Sequence, residues 1–416
     1  MPIKNILIIE YLSSGALVPD EQIPGSLLAE GFAMLASVCA DFTTLLAPKG
    51  RRAVHTLLDH RLKPYGSILE GHVYKYLKRK TLEETLEKII AKYDATLIIA
   101  PDGPPLLNLL EIAEDAGVII VGPSTAEIEK VSPKSLLYER CNQLDILSPP
   151  EYRVLTDTEN FSTFRRELAF LHEKWHSPIV IKPDMGCGGQ GLSIVLEKNK
   201  KNLKIAYEKA KVYDEAIILQ KMVRGSSISL NLIGTTDLPK ILSINKQFLC
   251  LSSPDGNTEY IGGLTPIEYE KVPAIIEDIR KLTADTGYRG YFGIDLVVDN
   301  KGYSIVDLNP RITTSYTGLR EVSLVNPAQI MRDVALGNSP PTPRIEGSVR
   351  FGKVPFHSST LELALEIFEM PGCLSPPFHF TDKPHAFFTA KGDDSEESKK
   401  KFSKYIQDTK GLIVSS

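Results

Sequence analysis

Apolar positions in the first 130 residues alternate between two rhythms. Ile6–Ile9 is an unbroken apolar run of strand length, and Leu27–Ala40 repeats at helical spacing. Thr81–Lys92 is an amphipathic helix pattern, while Thr96–Ala100 and Val118–Val121 are further strand runs. Strands separated by helices predict a parallel, doubly wound sheet. A helix is predicted over Lys134–Gln143, and Ser148-Pro149-Pro150 marks a boundary.

Beyond that boundary the pattern changes to paired strands. Ile179–Lys182 and Leu192–Val195 flank a glycine-rich loop, Ala216–Gln220 and Ser229–Ile233 flank "KMVRGSS", and Gly293–Val298 and Tyr303–Leu308 flank "DNKG". These read as antiparallel hairpins, so an α+β layout follows the α/β one. Asn326-Pro327 is an N-cap and first-turn pair for a helix closed by Gly337. "SPPTP" (339–343) is a connector, and the last seventy residues look like a small appended unit. That unit has a strand at His385–Ala390 and a helix entered through a capping-box pattern at Asp394–Glu397.

Length and composition narrow this picture only slightly. A chain of 416 residues implies two to four domains, and a net charge of −4 supplies no broad pull toward nucleic acid. The five cysteines lie far apart with no C-x-x-C, against zinc or a disulfide framework. No segment reads as a signal peptide or as a membrane span. The expectation is a cytoplasmic protein acting on small molecules, with no nucleic-acid or membrane partner.

The stretch "MGCGGQG" (185–191) contains G-x-G-x-x-G. A dinucleotide site needs a helix after those glycines to hold the pyrophosphate, and here an alternating strand, Leu192–Val195, follows. Two readings remain. The loop is either a flap whose N–H groups meet phosphate, with Lys182 adding charge, or a plain glycine-rich turn beside an exposed lysine. Cys187 reads as a small loop residue rather than a nucleophile.

The "GIDLVVDNKGYSIVDLNPR" stretch (293–311) carries the sharper signal. Asn300-Lys301-Gly302 suits a three-residue turn with Gly302 left-handed, which places Asp299 opposite Tyr303 and Asp295 opposite Asp307. Facing carboxylates repel, and a fold avoids them amid apolar strands unless a cation lies between. Asp307, Asn309 and Arg311 share a face by the two-residue period. Asp295, Asp307 and Asn309 therefore offer hard oxygen ligands suited to Mg²⁺ or Mn²⁺, unless the face is only a polar one salt-bridged to Arg311.

Lysine, glycine flap, acidic metal site and arginine form a phosphoryl-transfer set. In this order the sequence resembles the ATP-grasp superfamily of carboxylate–amine ligases over roughly residues 94–336. "IIEYLSSG" (8–15), "LAEGFAML" (28–35), "YIGGLTP" (260–266) and "NPRITTSYTGL" (309–319) look like the tyramine–glutamate ligase group of methanofuran biosynthesis. The resemblance implies an ATP-grasp fold with a Rossmann-like pre-ATP-grasp domain at 1–130. A small subdomain with the flap would span 131–222, a large subdomain with the metal site 223–345, and the appended unit 346–416.

It also implies roles. Lys134 and Lys182 would meet phosphate under the flap of Gly186, Gly188, Gly189 and Gly191. Gln220, Lys221, Met222 and Val223 would border the adenine. Asp295, Asp307 and Asn309 would hold magnesium, with Arg311 and Lys182 acting on the transferred phosphoryl. Ser227 stands where many members have a glutamate for the ribose hydroxyls, a departure that leaves the ribose contact in question.

Thr313, Thr314, Ser315 and Arg320 are candidates for the acceptor carboxylate, or else turn and surface residues. Glu10, Ser13, Ser14 and Gly15 end the first strand, where open α/β sheets bind ligands; they hold the amino-acid substrate or merely form a loop. Glu30 is either another such residue or a solvated helix position. The implied reaction is ATP-dependent ligation of an amino acid such as glutamate to an amine through an acyl phosphate. A kinase, a bicarbonate-using carboxylase and a silent nucleotide-binding protein are the alternatives, and a homodimer is the expected assembly.

Overall fold

The computed structural model describes residues 2–17, 21–46, 52–78, 81–156, 160–186, 188–196, 200–254, 256 and 258–415. Cys187, in the flap, lies outside them. Five strands, β1 (Ile6–Glu10), β2 (Val54–Asp59), β3 (His72–Leu77), β4 (Ala95–Ile99) and β5 (Ile119–Ile120), form a parallel sheet in the order β3-β2-β1-β4-β5. β1 and β4 are buried along their whole length, as expected of central strands covered on both faces. Chain order reverses at β1 and β4, so the loops after them open into one crevice.

A four-stranded antiparallel sheet follows, made of β6 (Tyr152–Leu155), β7 (Ile179–Pro183), β8 (Ser193–Val195) and β9 (Ile217–Lys221) in the order β6-β9-β7-β8. The third sheet has eight strands: β10 (Ser226–Gly234), β11 (Lys240–Cys250), β12 (Glu259–Thr265), β13 (Gly290–Val298), β14 (Tyr303–Asn309), β15 (Ser348–Pro355), β16 (Cys373–Ser375) and β17 (His385–Gly392). Their order is β14-β13-β10-β11-β12-β15-β17-β16. The C-terminal segment thus extends the large sheet beyond β12 rather than standing away from it.

"KMVRGSS" is not the tip of a hairpin. β9 and β10 belong to different sheets, and the segment carries the chain from one to the other. Gly225 makes the crossing possible, because a Cβ there would collide with the Val298 carbonyl.

The β13–β14 turn also differs from expectation. Tyr303 pairs with Val298, not Asp299, and Gly302 is not left-handed. Asp299 closes the turn itself by accepting the N–H groups of Lys301 and Gly302 at 2.8 and 2.9 Å, the local competition that Asp offers backbone in turns. A bulge between Asp295 and Leu296 then restores the register, and Asp295 faces Asp307 after all.

One helix, Gly25–Leu46, contradicts the expectation of no membrane-length apolar segment. By length and composition it could cross a membrane, yet 78% of its most apolar window is buried. Its composition follows from its neighbours. Phe32, Leu35 and Phe42 pack with Ile6 and Ile8 on one side and with Tyr316, Leu319 and Phe378 on another. The helix is wrapped by the N-terminal sheet and the C-terminal half at once, so it is apolar nearly all round.

Candidate active site

A cleft of about 610 Å³ lies where the three sheets meet. Its phosphate-like end is built on the bulge in β14. Val306 has no partner in the β13 ladder, and its carbonyl accepts from the Lys182 ammonium at 3.0 Å and from the Tyr138 hydroxyl at 2.8 Å. Lys182 also donates to the Tyr138 hydroxyl at 2.9 Å. Burial, and then the neighbouring Lys134, lower the pKa of Lys182 to about 7. An anion beside it would restore its charge.

Lys134 begins the helix Lys134–Leu144, and Asp184 pins that turn by accepting from the Ser135 N–H at 2.8 Å. The Lys134 ammonium lies 3.2 Å from Asp307 and donates to the Gly186 carbonyl at 3.1 Å. Burial works against its charge, but Asp307 and Asp102 prevail and raise its pKa.

Asp295 and Asp307 face each other across the ribbon. Asp295 is pushed up to about 7, first by burial and then by the Asp307 charge, although Gln247 and Asn309 donate to it at 2.9 and 3.4 Å. Two acids and an amide oxygen around one gap fit a hard divalent cation, which takes oxygen ligands and completes its shell with phosphate and water. Lys134 offsets part of the repulsion between the acids, and such an ion would remove the rest.

Arg311 lies just beyond β14, not on it. Its guanidinium donates to Asn309 at 3.3 Å and to Asp102 at 3.0 Å. Asp102, in the loop after β4, was not anticipated from the sequence. Burial raises its pKa, and its second oxygen is buried without a hydrogen-bond partner. The signal was available: "APDGPP" stands at the carboxyl end of a central parallel strand, as does Glu10.

Gly186, Gly188 and Gly189 line the cleft at φ of 130°, 63° and 75°, a run open to glycine and strained for most side chains. Gly191 does not line it and is packed against Pro183 and Tyr213. Gln220, Met222, Val223 and Ser227 border the cleft beside the apolar Val180, Ile194 and Val297. Lys221 turns the other way, to Glu151 at 2.5 Å.

The cleft is lined further by Glu10, Thr313, Thr314 and Ser315, with Leu12, Leu17, Leu27 and Met34. Thr313 and Ser315 both donate to Asn231, at 3.1 and 2.7 Å. Glu10 accepts from the N–H groups of Leu12 and Ser13 at 3.4 and 2.8 Å, and burial raises its pKa. Gly31 is needed for this, since a Cβ there would fall 2.5 Å from the Glu10 carboxyl carbon.

Ser13, Ser14 and Gly15 do not reach the cleft. They fold beneath Glu10, with the Ser14 hydroxyl donating to the Leu57 carbonyl at 2.9 Å. Arg320 is also absent from the lining. Its helix, Tyr316–Val322, directs it to Asp41, to which its Nη2 donates at 2.9 Å. Glu30 is buried in the cleft wall, not solvated.

Comparison with known proteins bears on the fold and the reaction class. Residues 131–315 match the ATP-grasp domain model. The tyramine–L-glutamate ligase of Methanocaldococcus jannaschii is 25% identical over 325 residues, covering 77% of this chain and 86% of that one. Its counterpart in Methanocaldococcus fervens is 29% identical over 246 residues, 58% of this chain and 67% of that one. Among solved structures, an ATP-grasp superfamily protein of Archaeoglobus fulgidus superimposes with a TM-score of 0.59 at 19% identity, covering 92% of this chain and 98% of that one. The chain carries an ATP-grasp domain and is an ATP-dependent carboxylate–amine ligase resembling the tyramine–L-glutamate ligase group.

Proposed function

We propose that the enzyme activates the side-chain or main-chain carboxylate of an amino acid such as glutamate as an acyl phosphate and couples it to an amine such as tyramine. The observation that carries this reading is the facing pair Asp295–Asp307 with Asn309, ringed by Lys134, Lys182 and Arg311. A carboxylate oxygen of the donor forms a bond to the γ-phosphorus of ATP while the bond to the β-phosphate oxygen breaks, and ADP departs. The amine nitrogen then attacks the acyl carbon, the C–O bond to phosphate breaks, and the amine proton leaves with phosphate or solvent.

Catalysis in such transfers is positioning and charge neutralisation. Lys134 and Lys182 would hold phosphate oxygens, with the N–H groups of Gly186, Gly188 and Gly189 above them. Arg311, braced by Asp102, would face charge developing on the transferred group. A magnesium ion held by Asp295, Asp307 and Asn309 supplies the remaining neutralisation of the phosphates when bound. Met222 and Val223 would border the adenine, and Ser227 the ribose. Thr313–Ser315 and Glu10 would contact the amino acid. We further take the protein to act in the cytoplasm on small molecules alone, without nucleic acid or membrane, and to assemble as a homodimer.

The test is ADP release over a panel of amino acids, beginning with glutamate and tyramine, with hydroxylamine added as a trap. A hydroxamate formed together with ADP supports the acyl phosphate. ADP release with a phosphorylated product and no hydroxamate overturns it in favour of a kinase.

A further inference from the structure

The acceptor end of the cleft contains a charge arrangement that phosphoryl transfer leaves unused. Glu30 is 7% exposed and Lys353, on β15, is 6% exposed. The Lys353 ammonium lies 2.6 Å from Glu30 Oε1 and donates to the Ser26 hydroxyl at 2.6 Å, with Glu259 at 3.3 Å. The other Glu30 oxygen accepts from the Thr314 hydroxyl at 2.9 Å. His385 lies 3.6 Å from Glu259, and burial lowers its pKa, so it adds no full charge near neutrality.

Lys353 is shared between Glu30, in the cleft lining at 2.6 Å, and the partly exposed Glu259 at 3.3 Å, so the buried Glu30 charge is offset only in part. On the same helix Leu27 and Met34 line the cleft on either side of Glu30 in sequence, and Tyr260 stands near it. Of the basic residues in the lining, Lys134 pairs with Asp307 and Arg311 with Asp102. A buried charge in such surroundings is costly unless a partner meets it.

We propose that Glu30 receives the ammonium group of the amino acid whose carboxylate is activated, a role that rests on the ligase reading above. Thr314 bridges Glu30 to the loop that follows Arg311, so one small molecule spans both groups. This ammonium takes no part in the reaction and stays charged, as a carboxylate partner requires. Lys353 holds Glu30 in place and ties the C-terminal segment to substrate choice.

Hydroxamate formation from glutamate and from glutarate, its analogue without the ammonium, reads this directly. The wild type should show a KM for glutamate about tenfold or more below that for glutarate, the value of one charge-assisted hydrogen bond. Glu30→Gln should raise the glutamate KM to the glutarate level and leave the glutarate KM within about twofold. The double variant Glu30→Gln with Lys353→Met removes both charges of the pair, leaves no stranded lysine, and should lose the same discrimination.

A wild type that treats the two acids alike, while still forming hydroxamate, overturns this inference alone. So does a Glu30→Gln effect confined to the KM of the amine, or equal for both acids. No hydroxamate from the wild type with glutamate overturns the donor reading beneath it.

Discussion

The two ends of the cleft are built in different ways. At the phosphate end, Asp295, Asp307 and Asn309 come from one ribbon, close in sequence and held by ladder hydrogen bonds. At the substrate end, Glu10, Glu30, Thr314 and Lys353 come from four separate segments and meet only in the finished fold. The first arrangement violates a local rule, facing like charges in apolar strands, and so announces itself. The second violates nothing locally; each residue is unremarkable until its neighbours are known.

The comparison breaks first at the ribbon. Asp295→Asn should lower the rate of ADP release by about a hundredfold to a thousandfold, the usual loss when one preorganised electrostatic contact is removed. The same change relieves the repulsion with Asp307, so the Tm of nucleotide-free protein should stay level or rise. Activity kept within about tenfold of wild type would mean the phosphate end is elsewhere. Lys182→Met comes next, with kcat/KM for ATP expected to fall about a hundredfold, measured in the same ADP assay. Its shape is near that of lysine, so loss of charge is the term tested.

Much of the architecture was legible for the same local reasons. Ile6–Ile9 and Thr96–Ala100 are apolar runs of strand length, and both fall in the central parallel strands. β2 and β3 carry no such signal. β2 mixes His55, Thr56 and Asp59 with its apolar residues, and β3 is an edge strand with exposed Tyr74 and Lys75. Neither carries a clean run or a strict alternation. The ribbon turn departs from the glycine-based expectation because Asp299 supplies a side-chain closure.

Asp102 sharpens the comparison because it serves the phosphate end from a segment far from the ribbon in sequence. It lies in the loop after β4 and fixes a guanidinium that follows β14. Asp102→Asn should lower kcat about tenfold to a hundredfold while leaving the KM for ATP near wild type, since the charge-assisted bond orients Arg311 rather than binding nucleotide. Asp102→Glu should recover part of the loss. An equal rise in KM would show that Asp102 shapes the nucleotide site instead.

The smallest effect on activity belongs to Arg320, and it separates sequence neighbourhood from spatial role. Arg320 follows the Thr313–Ser315 loop by one helical turn, which made it a candidate for gripping a carboxylate. The carboxylate it grips is Asp41 of the helix Gly25–Leu46, which also accepts from the Tyr316 hydroxyl at 2.7 Å. Both partners are largely buried, and Asp41 raises the pKa of Arg320 against the effect of burial. Arg320→Met removes the hydrogen bonds that Nε and Nη2 donate to Asp41 and leaves its charge uncompensated, costing about 2 kcal/mol or more of stability by analogy with charged hydrogen bonds. Thermal unfolding should register that loss as a lowered Tm, while KM values for ATP, amino acid and amine stay within about twofold at a temperature where the variant is folded. A raised KM for the amino acid alone would return Arg320 to the substrate end and show that the helix Tyr316–Val322 turns on binding.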